Sequence, residues 1–232
     1  MRIRRGTERG HADHGWLRSW HTFSFADYHD PAHMHFRALR VVNEDIVAPG
    51  TGFGMHGHRD MEILTWILSG TLRHEDSMGH RADITPGEVQ VMSAGTGVMH
   101  SEVNPSATEP VHLLQIWMLP ERRNLPPRYD QQRVESGAMQ DRLALLAAPP
   151  GKGGIVEVFQ DVMLYAAHLS PGKEVALPLA AGRHAWAQVA TGSLDCNGTA
   201  LAQGDALGAT NEPVLRFRAG PEGAHLLVFD LA

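Results

Sequence analysis

The side chains best suited to chemistry lie between Gly50 and Glu102. The stretch opens Gly50-TGFGM-His56-Gly57-His58-RDM-Glu62 and closes Gly87-EVQVM-SAGTGVM-His100-Ser101-Glu102. A β-strand turns successive side chains to opposite faces, so residues two apart share a face. His56 and His58 therefore project together, and so do His100 and Glu102. If both strands line the inside of one barrel, three imidazoles and one carboxylate converge, a donor set for a divalent metal. Glu62 has the strand parity of His58 and is the other carboxylate within reach. Four ligands on an octahedral ion leave two positions open for a chelating substrate, dioxygen or both. Such donors suit iron(II), manganese, cobalt, nickel or copper, whereas zinc prefers four-coordinate closure.

Fifteen histidines occur in the chain, so about one His-x-His pair is expected by chance. His33/His35 is a second such pair, with no later donor stretch to match it. It reads as structural, with His35 near the barrel mouth. Gly52-x-Gly54-x-x-Gly57 spells a dinucleotide fingerprint, but neither a helix nor a βαβ unit follows. No Gly-x-Ser-x-Gly elbow is present, which argues against a serine nucleophile. Trp66, Met92, Met99 and Trp117 read as core packing, and Asn104 as a turn residue.

The elements that must position these residues are short strands. Segments 22–25, 36–42, 61–68, 71–76, 89–93, 98–103 and 111–119 read as strands, punctuated by Ser69-Gly70, Met78-Gly79 and Pro86-Gly87. Residues 49–58 read as irregular up to the histidines. Turns every 6–12 residues with no helical period imply an antiparallel sandwich or barrel. Residues 120–135, with three prolines and many charges, read as a linker. Strands resume at 162–169, 184–190, 213–218 and 225–231, with a short helix near 138–147.

The second half resembles the first. Ser69-Gly70-Thr71-Leu72 matches Thr191-Gly192-Ser193-Leu194, and Pro86-Gly87-Glu88 matches Gln203-Gly204-Asp205. Carried across by offset, His56 and His58 fall on Pro178 and Ala180, while His100 and Glu102 fall on Phe217 and Ala219. The copy keeps the turns and loses every ligand, so chemistry is expected only in the first unit.

Composition sets the outer limits. The chain has 232 residues, 43% hydrophobic and 20% charged, enough for a folded core and unlike a disordered chain. Net charge is −6 and no Lys/Arg cluster occurs, which argues against direct nucleic-acid or anionic-lipid binding. The single cysteine, Cys196, excludes an internal disulfide and a thiolate metal cage. With no signal-peptide pattern and no membrane-span-length apolar run, a cytoplasmic location is expected.

The two boxes, Gly-x5-His-x-His-x3-Glu and Gly-x5-Ser-x-Gly followed by His100 and Asn104, resemble those of the cupin superfamily. HTFSFADYHDP, HFRALRVVNED, GHRDMEILTWILSG and MSAGTGVMHSEVNP are similar to the pirin family over most of the first 120 residues. The nearest resemblance is to the bacterial branch described as quercetin 2,3-dioxygenases. The resemblance implies an all-β bicupin: two stacked antiparallel jelly-roll β-barrels, a metal-binding unit over 1–125 and a metal-free one over 126–232. It implies His56, His58, His100 and Glu102 as ligands, in preference to Glu62, and iron(II) as the first metal. It also implies a flavonol and dioxygen as substrates, ring opening with loss of carbon monoxide, and Glu102 as the base. Two other functions belong to the same scaffold. One is a redox-sensing regulatory protein with a protein partner, as eukaryotic pirins are described. The other is a metal-dependent isomerase or hydrolase.

Overall fold

The computed structural model describes Met1–Ala232. Its elements, in chain order, are β1 (Arg2–Arg4), a 3₁₀ turn (Gly6–Glu8), β2 (Gly10–Asp13), β3 (Leu17–His21), β4 (Leu39–Val47), β5 (Gly52–His58), β6 (Glu62–Ser69), β7 (Leu72–Asp76), β8 (Arg81–Ile84), β9 (Glu88–Ser93), β10 (Val98–Val103), β11 (Val111–Met118), β12 (Arg128–Arg133), β13 (Ala144–Ala148), β14 (Val156–Glu157), β15 (Val162–Leu169), β16 (Glu174–Pro178), β17 (His184–Cys196), β18 (Thr199–Ala202), β19 (Ala206–Thr210) and β20 (Val214–Leu231). The fold is all-β, and no helix is long and apolar enough to cross a membrane.

The chain divides into two compact units. One comprises Gly10–Val134 and Val156–Gln160; the other comprises Met1–Arg9, Glu135–Ile155 and Asp161–Ala232. A single cut at 125/126 differs from this at both ends. β12, in the stretch read as a linker, pairs with β9 along its whole length, from Arg128↔Ser93 to Arg133↔Glu88. β1 pairs antiparallel with β19, and Arg5 forms a 2.7 Å ion pair with Asp205, so the first nine residues belong to the carboxy-terminal unit.

The first unit contains two sheets. Seven strands run in the order β12-β9-β6-β11-β4-β3-β2, and four in the order β5-β10-β7-β8. Their inner faces meet through buried side chains. Leu17, Val47, Ile67, Val111 and Leu113 of the large sheet pack with Leu72 and Ile84 of the small one. Ile63 and Met92 pack with Ala94 and Val98 in a second cluster. Trp66 and Met92 are fully buried, as expected, but Met99 is exposed. Residues 52–58 form a regular strand rather than an irregular loop. Gly52 permits this, because a Cβ there would overlap the Glu102 carbonyl oxygen of the paired strand. The strand expected at 22–25 lies earlier, at Leu17–His21.

In the second unit the sheet runs β1-β19-β17-β20-β15-β13, with β16 on β20 and β18 on β17. The strands expected at 213–218 and 225–231 are the two ends of one 18-residue strand, β20. It stays paired with β17 through register shifts at Val189/Thr191 and Gly192/Leu194. Residues 138–147 form turns leading into β13 instead of a helix. The internal repeat has a backbone counterpart. Gly70 and Gly192 both have left-handed φ, +81° and +76°, and each backs closely onto another strand's backbone, the start of β11 at Pro110–Val111 or the interior of β20 at Gly223–Ala224. Phe217 and Ala219, where the offset carries His100 and Glu102, lie in the unit's apolar core cluster with Leu177, Leu207 and Leu215.

Candidate metal centre

Two hydrogen-bonded strands of the small sheet carry the histidines. His100 on β10 lies directly opposite His56 on β5, with Val98 opposite His58. The His56 ring centroid is 4.8 Å from that of His58 and 4.4 Å from that of His100, and His58 to His100 is 4.9 Å. The ligating nitrogens of all three lie within 4.8 Å of one another. Alternation along each strand delivers this, as the spacing suggested.

Hydrogen bonds on the far side of two rings fix which nitrogen faces the centre. His56 Nδ1 lies 2.8 Å from the Gly54 carbonyl oxygen, so Nδ1 carries the hydrogen and Nε2 keeps its lone pair. His74 Nε2 donates to Asp76 Oδ2 at 3.1 Å, which leaves His74 Nδ1 as an acceptor facing His100 Nδ1 at 3.5 Å. His100 Nε2 then presents its lone pair to His56 Nε2, 3.0 Å away. Two such nitrogens need a cation or a shared proton between them. Burial, then the charge of His56, lowers the His58 pKa to about 4. Burial, then His56, His58 and His74, lowers that of His100 to about 3. Imidazoles that resist protonation and converge from three directions fit a divalent metal better than a proton.

Glu102 occupies a different place in the cluster. It joins His74 and His100 in a second set of donors within 4.8 Å. Its two carboxylate oxygens accept from Gln115 Nε2 at 2.8 Å and Thr65 Oγ1 at 3.3 Å. Burial raises its pKa, opposed by His74 and the Gln115 amide. A register shift between His100 and Glu102 sets Glu102 opposite Phe53 instead of Gly54. Glu62 belongs to neither set. Its carboxylate accepts from Ser93 Oγ at 2.8 Å and the Phe159 amide at 3.1 Å, fastening the 156–160 segment. The parity argument for Glu62 fails because Asp60, with φ +50°, breaks the extended path between β5 and β6.

Other residues resolve as follows. His33 pairs with Asp30 at 2.6 Å, and His35 is exposed and lines no part of the cavity. Asn104 is fully buried and clamps its turn, donating to the Val47 and Glu109 carbonyls. Trp117 is not simple core packing: it lines the cavity with its ring 4.8 Å from that of His58. The sequence argument missed His74 altogether. The signal was present in Leu72-Arg73-His74-Glu75-Asp76, whose alternation turns Leu72 and His74 inward. Because Asp76 fixes the His74 tautomer, and His74 that of His100, Asp76→Asn should weaken metal binding about 10–100-fold. Calorimetric titration of the apoprotein with nickel(II) checks this; an unchanged Kd would sink it.

His56, His58 and Glu102 open into a cavity of about 670 Å³. Trp16, Phe25, Tyr28, Phe53 and Trp117 form aromatic walls, and Asp45 and Glu102 are its buried carboxyls. Burial pushes Asp45 up to about 7, opposed by the Ser19 hydroxyl that donates to it. A carboxyl raised on folding stabilises the fold below its unfolded value near 4 and loses that contribution as pH rises through 7. Asp45→Asn, neutral throughout, should therefore remove part of the stability lost by the apoprotein between pH 5 and 8, on the order of a few kcal/mol. Urea unfolding at both pH values measures it; parallel profiles for variant and wild type would refute it.

Residues 2–118, half of the chain, match the pirin family model. The chain belongs to the pirin family. Residues 145–231 match the quercetinase C-terminal cupin domain. Among relatives, the quercetin 2,3-dioxygenase of Escherichia coli strain K12 is 46% identical over 229 residues, 99% of this chain and 97% of the relative. The crystal structure of YhhW from Escherichia coli matches with a TM-score of 0.95 at 45% identity, over 100% of this chain and 97% of that one. The bacterial pirin YhhW in complex with nickel(II), also from Escherichia coli, matches with a TM-score of 0.93 at 46% identity, over 99% and 98% of the two chains. This pirin is accordingly an all-β bicupin with a candidate metal-binding His/Glu cluster.

Proposed function

We propose that this pirin is a metal-dependent dioxygenase that opens the heterocycle of flavonols such as quercetin with dioxygen and releases carbon monoxide. The observation that carries the reading is the 3.0 Å approach of His56 and His100 Nε2, with His58 beside them, at the wall of an aromatic-lined cavity. The quercetin 2,3-dioxygenase name of the Escherichia coli relative supplies the substrate class.

His56, His58 and His100 would hold the ion, with Glu102 as the carboxylate that joins them from the neighbouring donor set. Iron(II) is the first choice from the family, and nickel(II) is the second because it is bound in the Escherichia coli pirin. When bound, a divalent transition ion supplies Lewis acidity toward a chelating enolate and access to dioxygen chemistry. Glu102 takes the proton of the flavonol 3-hydroxyl; its burial raises its basicity, and Gln115 and Thr65 fix its direction. Trp16, Phe25 and Trp117 take the planar rings and exclude water from them. Asp76 and His74 hold the His100 ring in one tautomer.

Oxygen uptake with quercetin, against measured metal content, tests the reading. Uptake, loss of flavonol absorbance and carbon monoxide release are expected in proportion to bound metal. Fully loaded protein that leaves both oxygen and flavonol unchanged would rule the activity out.

A further inference from the structure

Four side chains next to His100 close a ring of contacts. Asp76 is fully buried and accepts from His74 Nε2 at 3.1 Å and from His80 Nδ1 at 3.0 Å. Tyr129 lies between the two imidazoles. Its ring stacks on His74 at 4.7 Å and 29°, and on His80 at 4.8 Å and 20°. None of the four lines the cavity. Neither Tyr129 nor His80 takes part in the proposed chemistry.

Tyr129 belongs to β12, the edge strand of the large sheet, whereas His74 lies on β7 of the small one. The tyrosine therefore reaches from one sheet to the other. Burial, then the charge of Asp76, raises its pKa, so the phenol keeps its proton. It donates to Gln131 Oε1 at 2.7 Å, and Gln131 Nε2 donates to the Asp83 carbonyl on β8 at 3.0 Å. The ring is held at its far end while its two faces carry the imidazoles.

A hydrogen bond fixes one atom of a ring and leaves the ring free to pivot about that bond. His74 has such a bond to Asp76 on one side. On the other, its Nδ1 meets His100 Nδ1 at 3.5 Å, the outer limit for a hydrogen bond. A small pivot breaks that contact and releases the His100 tautomer. A flat neighbour on the imidazole face stops the pivot, and stacked aromatic pairs at about 4.5–7 Å attract one another. His80 covers the other face of Tyr129 and is anchored to the same carboxylate.

We infer that Tyr129 is a positioning residue for the metal centre: sandwiched between His74 and His80, it holds the His74 ring at the angle that keeps His100 Nε2 turned toward the ion. This rests on the metal centre and not on the substrate, so it stands whether or not the protein oxidises flavonols.

Calorimetric titration of full-length apoprotein with nickel(II) tests it. Tyr129→Leu should weaken binding about tenfold, and Tyr129→Phe, which keeps the ring, should stay within about twofold of wild type. Imidazole nitrogen NMR of the apoproteins should show one His74 tautomer, with Nε2 protonated, in wild type and Tyr129→Phe, and a mixture in Tyr129→Leu. Wild-type affinity and a single tautomer in Tyr129→Leu would overturn the inference. So would a Tyr129→Phe as weak as Tyr129→Leu, because the hydroxyl link to Gln131 would then be what matters. Should Tyr129→Leu not fold, the exposed His80 supplies the second comparison. His80→Ala and His80→Phe both lose the bond to Asp76, but only His80→Phe keeps a ring on Tyr129. His80→Ala should bind nickel(II) about threefold more weakly than His80→Phe, and equal affinities would reject the sandwich. A wild type that binds no nickel(II) rejects the metal centre and this inference with it; binding by wild type without flavonol oxidation rejects the enzyme alone.

Discussion

His56→Ala should lose metal and activity together while leaving the apoprotein as stable as wild type. Apparent metal-binding energies of about 10–16 kcal/mol spread over four ligands give roughly 3 kcal/mol each, about two orders of magnitude in Kd. The effect on folding should be small, because the His56 ring is only partly buried and its bond to the Gly54 carbonyl is local. Removing it also ends the approach of two ring nitrogens at 3.0 Å, which opposes folding when no cation lies between them. The expected result is therefore a lost difference between apo and metal-loaded melting temperatures, with the apo value unchanged or slightly raised. Inductively coupled plasma analysis and thermal melts with and without nickel(II) measure both. Full metal retention by the variant would remove His56 from the ligand set.

How far the sequence carries depends on what each inference needs. Strand parity is local, so the pairing of His56 with His58 and the inward aim of His100 were legible and appear in the fold. Parity stops at a turn, so it misled for Glu62 once Asp60 adopted a left-handed φ. Glycine turns were legible because left-handed φ selects the residue type, and Gly70 and Gly192 proved equivalent. The stretch at 120–135 hid a strand because Arg128–Arg133 is polar on both faces and earns its place only by pairing with β9. Least legible was a row of buried polar side chains that crosses the large sheet of the first unit. His21, Asn43, Gln115, Thr65 and Gln90 share no spacing; only the register of five strands aligns them.

Glu102→Gln isolates the chemical step from the binding of metal. The change keeps the side-chain shape, and a glutamine carbonyl can still accept from Gln115 while its amide faces Thr65. What disappears is the capacity to take a proton. A positioned general base contributes about 10²–10⁴ in rate, so kcat for quercetin should fall by about that factor at saturating metal, with KM changed little. The metal must be saturating because a neutral amide is a poorer donor than a carboxylate, and a shortage of ion would lower kcat for a different reason. A drop confined to metal affinity, with kcat per bound ion intact, would make Glu102 a ligand alone. The proton would then need another acceptor, and the other buried carboxyl lining the cavity is Asp45 on β4. Steady-state oxygen uptake normalised to metal content, run on Glu102→Gln beside Asp45→Asn, separates the two: the base is whichever variant loses kcat at full metal loading.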